Sequence, residues 1–304
     1  MPPSRRAAAA AFIAARICSN CASRDTGRVG FPRSASANPG YVGRMTTIRV
    51  AAAGDIHAGA GDGDRVREAF ERVGEQADLV LLAGDLTQHG QVDEVCVVAD
   101  ACRELEIPVV AVLGNHDWQS DRPDDLRRAL SEAGVVILDR SHTILPVCGV
   151  SVGVAGVKGF VGGFAQQWAN FGEPLFREAY AETTRDVDGL DQSLAAIEPC
   201  GIRIALLHYS PVEATLIGEP ERLWLVLGAD RLAGPIRRHR PDLVVHGHAH
   251  HGSFEGEVEG VPVYNVAVHV TGRDFWIFEL EARSLRTDDL AEPAPRARPV
   301  ELDE

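Results

Sequence analysis

Lysine is all but absent from this chain of 304 residues: Lys158 stands alone among 30 basic side chains, the rest being arginine. With the excess of Ala and Gly, this reads as the codon bias of a GC-rich bacterial genome rather than as chemistry. Long apolar runs are absent too. None approaches the ~18 residues that a membrane-spanning helix needs, so no transmembrane helix is expected. Six cysteines occur, but no second pair follows Cys18-x-x-Cys21 at zinc-finger spacing. That pair is a weak zinc or redox candidate. Cys96, Cys102, Cys148 and Cys200 are scattered and read as buried thiols in a reducing, cytoplasmic compartment. Positive charge is scarce beyond the first 44 residues. That stretch holds seven arginines and one aspartate, a net of +6, which leaves −20 for the remainder of a chain whose total is −14. An acidic body repels phosphate backbones over most of its surface, which disfavours long nucleic acids as partners.

Methionine occurs twice, at Met1 and Met45, and the first strand-like run starts just after Met45. Residues 1–44 are therefore read as a disordered or spurious extension, although Arg5-Arg6 before Ala7–Ala15 faintly resembles a targeting segment. From Met45 the pattern alternates. Ile48–Ala53, Leu79–Ala83 and Pro108–Leu113 have the length and apolarity of buried strands. Arg65–Gln76, Val92–Leu105 and Asp124–Ala133 have helical spacing, with Val66, Ala69, Phe70 and Val73 on one face of the first. Such alternation implies βαβ units in an α/β protein. Val135–Leu138, Thr143–Val147 and Val150–Val157 read as strands joined by short turns. Residues 160–200 break the rhythm, with Phe160, Phe164, Trp168 and Phe171 among glycines and then a polar helix. They are expected to form an insertion, a lid over the site, with a plain surface helix pair as the alternative. Ile202–Leu207 and Leu243–Val245 are further strands, and Ala229–Arg238 a helix. Val261–Asn265 and Phe275–Leu280 are expected to complete a second sheet. Residues 45–283 thus make the folded domain, and 284–304, rich in Pro, Ala and acids, a disordered tail.

Five polar clusters close five of the strand-like runs: Asp55-x-His57, Gly84-Asp85, Gly114-Asn115-His116-Asp117, His208, and Gly247-His248-x-His250. Open α/β sheets place their ligands at this end of the strands. The clusters offer carboxylate, amide and imidazole but no thiolate, a set that suits Mn, Fe or Zn. Seven ligands exceed what one tetrahedral ion takes and match two ions that share a carboxylate. Two ions ~3.5–4 Å apart are a common device for phosphoryl chemistry. Asp85 as a helix cap, or the histidines as plain surface residues, would explain single clusters but not five together.

The order D-x-H, G-D, G-N-H-D, a lone H, then G-H-x-H resembles the calcineurin-like metallophosphoesterases, and within them the small bacterial phosphodiesterase branch. The resemblance spans roughly Ile48 to Leu280. It implies a four-layer αββα sandwich of two mixed β-sheets. It also implies two divalent or trivalent metal ions: Asp55, His57 and His250 on the first, Asn115, His208 and His248 on the second, and Asp85 bridging them. The implied reaction is hydrolysis of a small phosphomonoester or phosphodiester by in-line attack of a hydroxide between the metals. In that reading His116 contacts the phosphate and protonates the leaving oxygen, and Asp117 orients His116. The expected partner is a small phosphate-ester substrate, with no membrane partner and the oligomeric state left open. A nuclease of the same family would need a basic track, and a non-catalytic metal-binding scaffold would not need every ligand position filled. Tyr209, His269 and Lys158 are further candidates for the site's lining, and His246 for a supporting role. His89 and His251 read as loop and solvent histidines.

Overall fold

The computed structural model describes residues 46–165 and 172–282 and the backbone of 298–300. The expectations for residues 1–44, Cys18 and Cys21 among them, lie outside the described residues, as do those for Trp168 and Phe171 and for most of 284–304. The first half of the chain runs β1 (Thr47–Ala53), α1 (Gly63–Gln76), β2 (Leu79–Ala83), α2 (Val92–Arg103), β3 (Val109–Val112), α3 (Pro123–Glu132), β4 (Val136–Ile137), β5 (Ser141–Val147) and β6 (Val150–Gly156). The second half continues with α4 (Pro174–Ala196), β7 (Ile202–Leu206), α5 (Ala233–His239), β8 (Leu243–His246), β9 (Glu255–Val258), β10 (Val261–Asn265), α6 (Val268–Thr271), β11 (Trp276–Glu281) and β12 (Arg298–Val300).

The strands form two six-stranded sheets, ordered β12-β11-β1-β2-β3-β4 and β5-β6-β7-β8-β10-β9. Both are mixed. β1 to β4 are parallel with antiparallel β11 beside β1. β6, β7, β8 and β10 are parallel, with antiparallel β5 and β9 at the edges. Successive side chains of a strand point to opposite faces. Ile48, Val50 and Ala52 therefore enter the core between the sheets, against Val154, Ile204 and Val245. Ala51, Ala53, Val80 and Leu82 turn the other way, under Val66 and Phe70 of α1, Val98 of α2 and Leu126 of α3. Behind the second sheet, Leu190 and Leu194 of α4 and Ile236 of α5 pack on Ala205 and Val244. The result is an α/β sandwich with layers αββα. Central strands covered on both faces read as unbroken apolar runs, which is why they stand out in the sequence.

Four expectations are corrected. Phe275–Leu280 belongs to β11, which joins the first sheet: it runs antiparallel to β1, with Phe278 opposite Val50. Within the stretch expected as a disordered tail, Arg298–Val300 pairs with β11. The lid expected from 160–200 is instead, over 174–196, the crossover helix α4 between parallel strands β6 and β7, buried through Leu190 and Leu194. Cys96 is exposed, whereas Cys102 and Cys200 are buried. No helix among the described residues is long and apolar enough to cross a membrane.

Candidate metal centre

The C-terminal ends of β1, β2 and β3 in one sheet meet those of β7 and β8 in the other along a single edge of the sandwich. The chain leaves the strands abruptly there. Asp55 (φ 58°), His57 (φ 45°), Asp85 (φ 50°) and His248 (φ 72°) all adopt the left-handed conformation. For non-glycine residues this costs about 1–3 kcal/mol each and persists where the surroundings enforce it, as at functional sites. Here the loops enforce one another: the Asp55 N–H donates to the Gly84 carbonyl at 2.9 Å and the His57 N–H to the Asp85 carbonyl at 3.0 Å. Two glycines let the loops close in. A Cβ at Gly114 would collide with Asp85 Oδ1, and one at Gly247 with Asp55 Oδ2.

All seven residues expected as ligands come together. Asp55, His57, Asp85 and His250 form one group of donors and Asp85, His208 and His248 another, each group with its donor atoms within 4.8 Å of one another. Asp85 is common to both. Its Oδ2 lies 3.9 Å from His57 Nε2 and its Oδ1 3.4 Å from His208 Nε2. Asn115 Oδ1 sits 2.9 Å from His208 Nε2, which adds the amide to the second group. In the first group Asp55 Oδ1 is 2.8 Å from His250 Nε2, and the Nε2 atoms of His57 and His250 face each other at 3.4 Å. A carbonyl only accepts hydrogen bonds, so it fixes which nitrogen of a neighbouring ring carries the proton. His208 Nδ1–H donates to the Ala83 carbonyl at 2.8 Å and leaves Nε2 toward the centre. His248 Nε2–H donates to the Val226 carbonyl at 3.0 Å and leaves Nδ1 free to ligate. Metal-binding histidines are commonly oriented in this way through their second nitrogen.

The electrostatics fit a cation. Burial opposes the charge on Asp55, yet the hydrogen bond from His250 and the positive charge of His208 hold its carboxyl below the usual range. Burial likewise works against Asp85, and the charge and hydrogen bond of His208 outweigh it and depress the group. His208 is buried too, but the Asp85 carboxylate pushes it up to about 9. Its imidazolium supplies the positive charge that two buried carboxylates require, and a metal ion ligated there would replace that proton. Burial keeps His57 at about 4 despite Asp85 and Asp55, and keeps His248 at about 4 with help from the charge on His208. Both rings are thus neutral at pH 7, the form that ligates metals. In the first group the hydrogen bond to Asp55 raises His250, so its Nε2 carries the proton shared with that carboxylate, and a metal ion ligated there would replace it.

The residues around the donors differ in part from expectation. Asp117 does not touch the His116 ring. Buried and held at about 6 by burial and by the negative charge of Asp85, it accepts from the backbone N–H groups of Thr87 at 2.9 Å and Gly114 at 2.8 Å and from the Thr87 hydroxyl at 2.6 Å. Its role as the orienting partner of His116 is therefore corrected: Asp117 staples the Gly84-Asp85 loop to the Gly114-Asn115 loop. His116 is oriented instead by the Gln88 carbonyl, which accepts from its Nδ1–H at 2.8 Å and leaves Nε2 available. The His116 N–H donates to Asp85 Oδ1 at 2.7 Å, and its ring meets His57 edge-on at 4.5 Å between centroids. His246 takes its supporting role: Thr215 Oγ1 lies 2.9 Å from its Nε2, and its Nδ1 faces the Gly247 carbonyl. His269 stacks on His250 at 4.3 Å, and Tyr209 lies 4.3 Å from the His248 ring. Missed altogether was Asn265, whose side-chain amide donates to the Ala249 carbonyl at 2.7 Å and steadies the His248–His250 turn. His89, expected as a loop histidine, bonds Glu94, and His251 is exposed.

Solved structures share this fold at low identity. The phosphopantetheinyl hydrolase PptH from Mycobacterium tuberculosis superposes with a TM-score of 0.54 at 16% identity, over 72% of this chain and 88% of that one. TT1561 of Thermus thermophilus gives 0.50 at 20%, over 78% and 95%. GAP50, the anchor in the inner membrane complex of Plasmodium, gives 0.51 at 12%, over 85% and 90%. No curated protein matches the chain significantly. The calcineurin-like phosphoesterase family matches residues 48–252, which span all five polar clusters and more than half of the sequence. With the two-sheet sandwich and the converging donors, that match establishes that the chain belongs to the calcineurin-like phosphoesterases.

Proposed function

We propose that this protein hydrolyses a phosphomonoester or phosphodiester of a small molecule, using two metal ions, Mn, Fe or Zn. The observation that carries this reading is the pair of donor groups joined through Asp85. Asp55, His57 and His250 would hold one ion, Asn115, His208 and His248 the other, and Asp85 both. Such a pair, when bound, supplies a nucleophile from water at neutral pH and neutralises charge on the phosphoryl oxygens. The chain's own residues do the rest. Left-handed backbone at four donors and the Asp117 staple hold the ligands in register, so little rearrangement accompanies the reaction. His116, with Nδ1–H anchored on Gln88, presents Nε2 to the phosphate, and in its imidazolium form, protonated on both nitrogens, it would pass the Nε2 proton to the departing oxygen. An acidic body, −20 beyond residue 44 in a chain of −14 overall, favours a small ester over a long nucleic acid.

Turnover of p-nitrophenyl phosphate and bis-p-nitrophenyl phosphate by manganese-loaded protein tests the proposal. Metal-dependent release of nitrophenol, abolished by a chelator and restored by manganese, is the expected result. Protein that takes up no metal and releases none would instead be a scaffold on a phosphoesterase fold.

A further inference from the structure

A cavity of about 320 Å³ opens beside the metal centre, with Asn115 and Tyr209 in its wall. Lys158, the one lysine of the chain, projects into it. Its ammonium lies over three rings, 4.8 Å from the centroid of Phe160, 5.2 Å from Tyr209 and 5.9 Å from Trp118. The Lys158 carbonyl accepts the backbone N–H groups of His208 and Tyr209, at 3.0 Å each, which ties the lysine to the segment carrying a metal-site histidine. Each carboxylate that lines the cavity meets an arginine, although Asp186 Oδ2 is buried without a hydrogen-bond partner. Asp139 pairs with Arg127 at 2.6 Å, Asp186 with Arg140 at 2.5 Å, and Glu182 with both Arg140 and Arg185. Lys158 is left over. Among the described residues its ammonium makes one hydrogen bond, to the Gly159 carbonyl at 3.2 Å, and no ion pair. Burial lowers the pKa of this amine, and Asp186, Glu182 and Asp139, which favour its charge, act on it only from beyond ion-pair distance. Cation–π contacts offset only part of the cost of burial.

We infer that this cavity is the subsite for the alcohol portion of the ester, and that Lys158 selects alcohols bearing a carboxylate. The inference rests on the phosphoesterase reading for the position of the phosphate. The Trp118, Phe160 and Tyr209 rings in a wall that is otherwise polar fit a ring or short carbon chain, and the ammonium, which makes no ion pair, fits an anionic oxygen at its far end. Three carboxylates in the same wall favour a singly charged carboxylate over a second, more highly charged phosphate.

A matched pair of esters tests it: 4-carboxyphenyl phosphate and 4-carbamoylphenyl phosphate have the same shape and differ in the charge at the far end. With manganese-loaded wild-type protein, kcat/KM should favour the carboxylate by about ten- to a hundredfold, mostly through KM, the range of a hydrogen bond to a charged group. Lys158→Met should bring the ratio to about one, and Lys158→Arg, which keeps the charge, should retain a preference. Calorimetry with the non-hydrolysable phosphonate analogues reads the same ratio as affinities, so a misfolded variant shows as loss of binding to both. Turnover of both esters without preference in the wild type, or a preference that survives Lys158→Met, overturns the subsite and leaves the phosphoesterase reading intact. Preferential binding of the carboxylated phosphonate without turnover of any ester supports the subsite and overturns the activity.

Discussion

Asp85, His208 and His248 form a half of the candidate centre that is sealed at Asp85 and His208 and half-buried at His248, whereas Asp55, His57 and His250 form a more open one in which Asp55 alone is fully buried. The His208 side chain is 0% exposed, against 16% for His57 and 31% for His250. In the sealed half the second nitrogen of each ring is held by a backbone carbonyl, Ala83 or Val226. In the open half His57 and His250 are bounded by other rings, His116 and His269. The Ala83 carbonyl ends a packed strand and moves little, so His208 is preorganised, whereas the Val226 carbonyl that holds His248 belongs to an exposed residue of the short helix Trp224–Leu227. Rings at a solvent-facing mouth have room to adjust, which suits the side where substrate arrives.

The largest effect is expected from Asp85→Ala, because Asp85 is the residue common to both halves. Both ions should be lost by elemental analysis and turnover should fall to background. Retention of an ion pair at a near-wild-type rate would break the idea that the halves share a ligand. His116→Ala should keep both ions and slow turnover by ~10²–10⁴-fold, the range for a positioned acid. A fall in metal count would instead make His116 a ligand of the open half. Asp117→Ala should leave the Thr87 and Gly114 N–H groups without their buried acceptor. Urea denaturation should then show about 2–4 kcal/mol lost. A loss below ~0.5 kcal/mol would mean that the loops do not depend on this staple. Smallest in amplitude, and sharpest for the comparison, is metal removal by chelator. Release should be biphasic, with the open half emptying first, whereas a single phase would erase the difference between the halves.

Much of this was legible in the sequence because the relevant signals are contiguous. Each donor cluster directly follows a buried strand, so Asp55, Asp85, Asn115, His208 and His248 could be aligned on one sheet edge without coordinates. The first three strands and helices were equally plain. What escaped was whatever depends on backbone atoms or distant pairing. The carbonyls of Ala83, Gln88 and Val226 that orient His208, His116 and His248 have no sequence signature. Asp117 neighbours His116 in the chain, but both lie in a 3₁₀ turn, where consecutive side chains diverge by about 120°. Its carboxylate therefore reaches the backbone of another loop. β11 shows the same limit: its pairing with β1 spans more than two hundred residues, and an apolar strand fits either sheet locally. In α4, buried Thr183 and Ser193 dilute the apolar face that would have revealed a crossover helix.

The most direct test is an anomalous diffraction measurement at the manganese edge on crystals soaked in that metal. Two peaks about 3.5–4 Å apart, one flanked by Asp55, His57 and His250, the other by Asn115, His208 and His248, with Asp85 between them, are expected. A single peak, peaks elsewhere, or donor side chains turned away from one another would contradict the dinuclear centre on which the proposed activity depends.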